Sequence, residues 1–362
     1  TLFGGREDSS NQRRSAGEAA RMASNRKIPQ HFRESLEATE LRHRKPLLTV
    51  DQQITRLKAK GITFDLLSEE EAADLLANGN NYLRITSYCK LYERKTEGPE
   101  ARSYINLDFG HLAVLSSLDR QLRDAFLAVT VDVEHFAKMK VLAGVENHGE
   151  DGYGIVADFY ASLNHAGRNA IQGAMHARSR TGERHDIYTG ELIAHHIEDM
   201  PVWVLQEVID FGTFVDFYLF CAARWEDDVM LQEHYVLKSV KALRNATAHN
   251  HCIANGFTQA AEAASYSTNS LIIESLNRHG LPRTKSRRSK LSNLRIAQMA
   301  AALYSLNALC RREPAMRKNA ERLNALRKNY EAALPQLSKN STVVSFFDFL
   351  FKLVDIWVPM PS

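Results

Sequence analysis

Apolar residues recur along this chain at steps of three and four, and no alternating pattern of useful length suggests a strand. Over residues 109–141 the positions Leu115, Leu118, Leu122, Phe126, Val129, Val133 and Phe136 trace one face of a long amphipathic helix. Two further helices are predicted over 201–224 and 227–249, joined near Trp225 and Glu226. Pro201 suits a first helical position, where its fixed φ fits and its missing amide would have had no partner. Val236, Val240 and Leu243 form the core stripe of the second helix. Nearer the start, Thr49 with Gln52 spells a capping box for a helix over 47–57, which Gly61 ends. A helix over 68–76 places Glu69, Glu70 and Glu71 in its first turn, where the helix dipole favours acids, and Asn78-Gly79-Asn80 stops it. Past Gly280 and Pro282 come a basic loop and two more helices. The apolar stretch 343–358, interrupted by Asp348, Lys352 and Asp355, is too short to cross a bilayer and reads as a buried or partner-facing helix. The pattern predicts an all-α fold without internal repeats.

Polar stretches divide the chain. Residues 1–45 mix Ser, Asn, Arg and Glu with few large apolar groups, so burial cannot offset the entropy of ordering them, and a mobile tail is expected. Met22 within it leaves the natural start open. A helical core is expected over 46–262 and a basic helical region over 263–362. Within the core, 146–200 is polar and Gly-rich and reads as loops and short helices. It holds His148, His165, His176, His185, His195 and His196, but the adjacent pair His195-His196 would point about 100° apart on a helix, so no metal site is expected. The four cysteines, Cys89, Cys221, Cys252 and Cys310, form no CxxC pair, which argues against a disulfide framework or zinc knuckle and fits a reducing cytoplasm. No cofactor is expected.

Charge changes this picture. The formal net charge is only +3, yet residues 283–330 hold thirteen Lys or Arg against two acids, a local balance of +11 that leaves −8 for the rest. Such a concentration suits a nucleic-acid backbone, whose condensed counterions are released when basic side chains neutralise phosphates. The residues expected to contact RNA are Arg283, Lys285, Arg287, Arg288, Lys290, Arg311, Arg312, Arg317 and Lys318.

The candidate chemistry lies at the end of the helix over 227–249, in Leu243-Arg244-Asn245-Ala246-Thr247-Ala248-His249-Asn250-His251. Metal-independent RNA cleavage needs a group that handles the proton of the 2′-hydroxyl or of the leaving 5′-oxygen, and a fixed cation for the charged phosphorus centre. Histidine fits the first need, with an ordinary pKa of about 6.5, and arginine the second. Asn245 is placed to orient the histidine or a phosphate oxygen. On a regular helix Asn245 and His249 share a face, whereas Arg244 and His249 lie about 140° apart. Those two converge only if the helix ends or kinks, or if a second subunit supplies one of them. The letters His249-Asn250-His251 also spell an HNH pattern, but that metal-binding arrangement requires strands that this chain lacks.

Other blocks carry a resemblance. Pro-Val-Trp203-Val-Leu-Gln-Glu207-Val-Ile-Asp-Phe211-Gly212, followed by Leu-Arg244-Asn245-x-x-Ala-His249-Asn and Asn255, resembles the Abi family of phage abortive-infection proteins, in particular the AbiD/AbiF group. Asn81-Tyr82-Leu83-Arg84-Ile85-Thr86-Ser87-Tyr88 and Leu118-Asp119-Arg120-Gln121-Leu122-Arg123 resemble two further blocks of that family, with Glu134 matching a later glutamate. Lys138 stands where the family usually has arginine, so a bidentate contact would become a point-charge contact. The resemblance spans about Pro46 to Asn255. It implies a HEPN-type helical core, a ribonuclease site at Arg244 and His249 shared across a homodimer, and a toxin held in check in some members by a structured small RNA. It also implies kinship with RNA-guided ribonucleases. Asp119, Arg123, Glu134 and Lys138 are expected to support the site.

The sequence thus leads to the expectation of a metal-independent endoribonuclease acting as an antiphage toxin, with Arg244, Asn245 and His249 in its centre and RNA as substrate. The rival is a non-catalytic, dimeric RNA-binding adaptor. A purely structural helical protein would show no salt-dependent RNA affinity.

Overall fold

A computed structural model describes residues 47–258, 268–281 and 284–361. The segment 1–45, expected to be a mobile tail, and Arg283 lie outside the described residues. The chain divides into two units, Thr1–Thr49 and Val50–Ser362, and every helix described below belongs to the second.

Helix α1 spans Val50–Lys58 and α2 Glu69–Asp74, the latter opened by a Ser68/Glu71 capping box and carrying the expected acids in its first turn. A single π turn, Leu75–Gly79, ends α2 at the Asn-Gly-Asn stop, and Asn81 caps α3, Tyr82–Ser87. The predicted long helix is α4, Phe109–Asn147, 39 residues and hence about 58 Å. Its start is fixed by Asp108. One carboxylate oxygen accepts from the Gly110 amide at 2.7 Å, and the other accepts from the Thr63 hydroxyl and the Asp65 amide, both at 2.7 Å. The predicted stripe faces inward from Leu115 to Val133, while Phe136 is half-buried.

The stretch 146–200 folds into short helices joined by loops, as expected: α5 (Gly154–Ser162), α6 (His165–Arg178) and α7 (Gly190–His196). The single helix expected over 201–224 is two, α8 (Val202–Val208) and α9 (Phe211–Arg224). Asp210 takes extended backbone between them, and its carboxylate accepts from the Gly212 and Thr213 amides at 2.7 and 3.1 Å, so a side-chain cap outcompetes helix continuation. Trp203 is 50% exposed and packs edge-on with Tyr153, the ring centroids 5.6 Å apart, whereas Phe211 is buried.

Helix α10, Asp228–Ala248, runs alongside α4. Beyond it lie α11 (Ser270–Arg278), α12 (Lys285–Leu291), α13 (Leu294–Leu309), α14 (Glu313–Leu337) and α15 (Ser341–Trp357), and the basic loop expected after Pro282 is in part the helix α12. Helix α13 is apolar on nearly every side and packs against α4, α10 and α15, while α14 packs on α4 and α15. Periodicity could not reveal α13, because a helix buried all round has no polar face to set a period. The stretch 343–358 is buried: Phe347 on α15 stacks on Tyr330 at 4.9 Å and meets Phe257 edge-on at 5.4 Å. Among the described residues all regular structure is helical, and no helix is long and apolar enough to cross a membrane. Phe347→Ala should therefore cost about 3–5 kcal/mol in a denaturant melt followed by circular dichroism. A loss under about 1 kcal/mol would contradict α15 as part of the core.

Candidate functional site

The helix carrying Arg244 to His249 is fixed at both ends by its own sequence. The Asp227 carboxylate accepts from the Met230 amide at 2.9 Å, and His249 forms the C-cap. Asn250 follows with φ of 57°, its amide donating to the Thr247 carbonyl at 3.0 Å, while the His251 amide donates to the Ala246 carbonyl at 2.8 Å. These are the paired bonds of a Schellman end, with asparagine in the left-handed position that few L-residues tolerate. The chain turns off the helix axis immediately after His249. His249 is exposed, its ring 6.0 Å from that of His251.

Beyond this turn the chain is tied to α4 by Asp119, which is fully buried. One carboxylate oxygen accepts from the Ile253 and Ala254 amides at 2.9 and 2.6 Å. The other accepts from the Tyr88 hydroxyl at 2.7 Å and from the Arg123 guanidinium. Burial and the neighbouring Asp119 charge push the Tyr88 phenol far above its ordinary value, so it stays protonated and donates.

Higher on the same pair of helices, Arg244 Nε lies 3.8 Å from one Glu134 oxygen, and the other Glu134 oxygen lies 3.1 Å from Lys138 Nζ. The Arg244 side chain is 37% exposed against 14% for Glu134 and 17% for Lys138, and its buried Nε has no hydrogen-bond partner. Arg244 is oriented by attraction rather than locked by a hydrogen bond. Asn245 is half-buried, and its carbonyl accepts the His249 amide at 2.9 Å. No described contact joins the side chains of Arg244 and His249 within one chain. Of the supporting residues, Arg123 pairs with Asp119 while Glu134 takes Lys138 and Arg244, so the stripe they share on α4 serves two separate centres.

The basic segment is not uniform. Lys285, Arg288, Arg311, Arg312, Arg317 and Lys318 are exposed, Arg287 is half-buried, and Arg317 lies 3.8 Å from Glu313. Lys290 turns inward, donating to the Ser345 hydroxyl with its ammonium 4.7 Å from the Phe346 ring centroid, and burial holds its pKa below the ordinary lysine value. Arg311 and Arg312 line a separate cavity of about 820 Å³ with Met139 and Glu233.

A cavity of about 650 Å³, which no sequence pattern signals, lies beside the end of α10, and its wall includes Asn80, Arg84, Arg120, Arg123, Thr247 and Asn250. Arg84 donates to the Asn250 carbonyl at 2.5 Å and to its side-chain oxygen at 3.3 Å. Arg84 and Arg120 both fall in recognisable blocks, but no local spacing says that residue 84 reaches residue 250.

Fold and site together define an all-α protein with an Arg/Asn/His helix end set against an arginine-lined cavity. The family described as Abi-like protein matches residues 76–255, a region that runs from the π turn before α3 to just beyond the α10 turn, and the match supports the Abi family for this part of the chain. No curated protein and no solved structure matches the chain.

Removing the Asp119 carboxylate would leave the buried Arg123 unpaired and two loop amides without acceptors. Asp119→Ala should cost about 3–5 kcal/mol, against about 1.5–3 kcal/mol for Tyr88→Phe, which deletes one bond to a charged acceptor. Chemical denaturation of both variants checks the order, and an Asp119→Ala cost below that of Tyr88→Phe refutes it.

Proposed function

We propose that this chain is a metal-independent, HEPN-type endoribonuclease that acts as a homodimeric toxin of an abortive-infection system and is regulated by a structured small RNA. The observation that carries the reading is the end of α10, where His249 is exposed on the cap and Arg244, one turn earlier, is held to Glu134 by an ion pair with no hydrogen bond at its Nε among the described residues. The Abi-like match over residues 76–255 supports the abortive-infection setting.

In the proposed reaction the 2′-oxygen of RNA attacks phosphorus, and the bond to the 5′-oxygen breaks, leaving a 2′,3′-cyclic phosphate and a 5′-hydroxyl. A neutral His249 takes the 2′-hydroxyl proton, or a protonated His249 supplies one to the departing 5′-oxygen; two copies in a dimer provide both roles. Arg244 contributes a permanent charge to the phosphorane-like centre, and Asn245 orients an oxygen. The separation of Arg244 and His249 within one chain favours a centre completed by the second subunit. The exposed members of the basic segment would hold RNA outside the centre.

A second reading, a non-catalytic RNA-holding adaptor, is favoured by the Glu134 pairing, which partly neutralises Arg244. Cleavage separates the two. The purified chain should cut RNA in the presence of EDTA, and His249→Ala and Arg244→Ala should each slow cutting by about 100- to 1,000-fold while leaving the helical circular-dichroism signal intact. Cleavage unchanged in His249→Ala would sink the proposed centre, and RNA binding without cleavage by the unaltered chain would favour the adaptor.

A further inference from the structure

The arginines around the end of α10 differ in how far their charge is already answered. Arg123 pairs with the buried Asp119, and Arg244 with Glu134. Arg84 bonds only neutral oxygens, the Asn250 carbonyl and side-chain amide. Arg120 is exposed and has no ion-pair partner among the described residues. Both Arg84 and Arg120 line the 650 Å³ cavity.

We infer that this cavity is a strand-holding subsite, which grips the sugar-phosphate backbone of single-stranded RNA beside the bond to be cut and does not read its bases. The inference rests on the ribonuclease reading of the neighbouring His249.

The wall explains both halves of that statement. On α4 the small residues Ala113, Ser116 and Ser117 leave the space, and Arg120 follows one turn later on the same face. Across the gap stand Asn80, whose amide donates to the Ser116 hydroxyl at 2.6 Å, and Arg84. Guanidinium forks, amides and hydroxyls are the groups that contact phosphate and sugar oxygens. Among the described residues no aromatic side chain lines the cavity, so they offer no platform on which a base could stack. Two features oppose an anion. Asp124 is the one carboxylate that the described residues place in the wall, and it is exposed, where water and salt screen it. The C-terminal end of α10 carries partial negative charge, but Arg84 sits against that end and offsets it. A phosphate drawn to Arg84 is thereby held next to Asn250, the residue that follows His249.

Binding tests this without requiring cleavage. A fluorescent single-stranded oligoribonucleotide of about six residues, near the site size of one binding groove, is titrated into the full chain carrying His249→Ala, in EDTA and at several salt concentrations. Adding Arg120→Ala should raise Kd about ten-fold and reduce the slope of log Kd against log salt by about one, equally for uridine and adenosine oligomers, whereas Arg120→Lys should recover part of the affinity. Lys352→Ala, an exposed basic residue outside both the cavity wall and the 283–330 segment, serves as control and should change Kd less than two-fold on an oligomer this short. A Kd insensitive to Arg120→Ala overturns the subsite. So does Arg120-dependent binding of adenosine monophosphate or inorganic phosphate alone, tight enough to displace the oligomer, because it would mark a free-phosphate site. If the unaltered chain binds the oligomer with this Arg120 dependence yet never cuts it, the subsite stands and the ribonuclease reading falls.

Discussion

The course of the chain beyond His249 depends on one buried carboxylate. Asp119 sits in the interior of α4 with no exposure, and an ion in that position is tolerable only when its lone pairs are occupied and its charge answered. Both conditions are met by groups that are far apart in sequence: the Tyr88 hydroxyl, the Arg123 guanidinium, and the Ile253 and Ala254 amides. The two amides belong to the segment just beyond the α10 turn, so the carboxylate fixes where the chain goes after His249. Tyr88 belongs to the short turn after α3, so the same carboxylate also anchors the element that carries Arg84. Three parts of the chain are brought to one point by a group whose removal would leave an unpaired cation in the interior.

That arrangement sorts the cations around it. Arg123 is consumed by the anchor, and Arg244 is drawn to Glu134 without a hydrogen bond from its Nε. The half-exposed Arg244 retains freedom to change partner, whereas Arg123 does not. Lys138 shares Glu134, and its contact is the shorter of the two, which weakens the hold of that carboxylate on Arg244. A lysine delivers this competition as a point charge, where an arginine would engage both carboxylate oxygens.

How far the sequence disclosed this differs by element. The long helix α4 was legible because one face is buried against several partners, so its apolar residues keep a clean period. The helix expected over 227–249 was legible to its ends, since Asp227 and His249 are the caps of α10. The all-α class followed from the same periodicity. Helix α13 shows no clear period because it is apolar on nearly every side, and the break between α8 and α9 escaped because Asp210 reads as an ordinary polar residue until its carboxylate is seen capping the Gly212 and Thr213 amides. Lys290 looked like one cation in a basic run, but α15 covers it, and coverage by an element 55 residues away leaves no mark in local composition. Asp119 and Arg123 stood out as members of one family-like block. That the pair is an internal anchor is a property of burial, which the spacing does not encode.

The same distinction applies to the Arg-Asn-x-x-x-His element. As six residues on a straight helix it cannot bring Arg244 and His249 together, and the structure does not bend the helix to do so. It ends the helix instead. The place of His249 is set by what holds the following residues: Arg84 clamps Asn250 across 166 positions of sequence, and Asp119 holds Ile253 across 134. Asparagine at 250 accommodates the left-handed turn and also offers two oxygens to Arg84, uses that a glycine could serve only in part. The histidine is therefore presented by long-range contacts at a helix end, and Arg244 by a carboxylate on another helix. Chemistry that needs both side chains at one phosphate must draw them from surfaces that each chain leaves open.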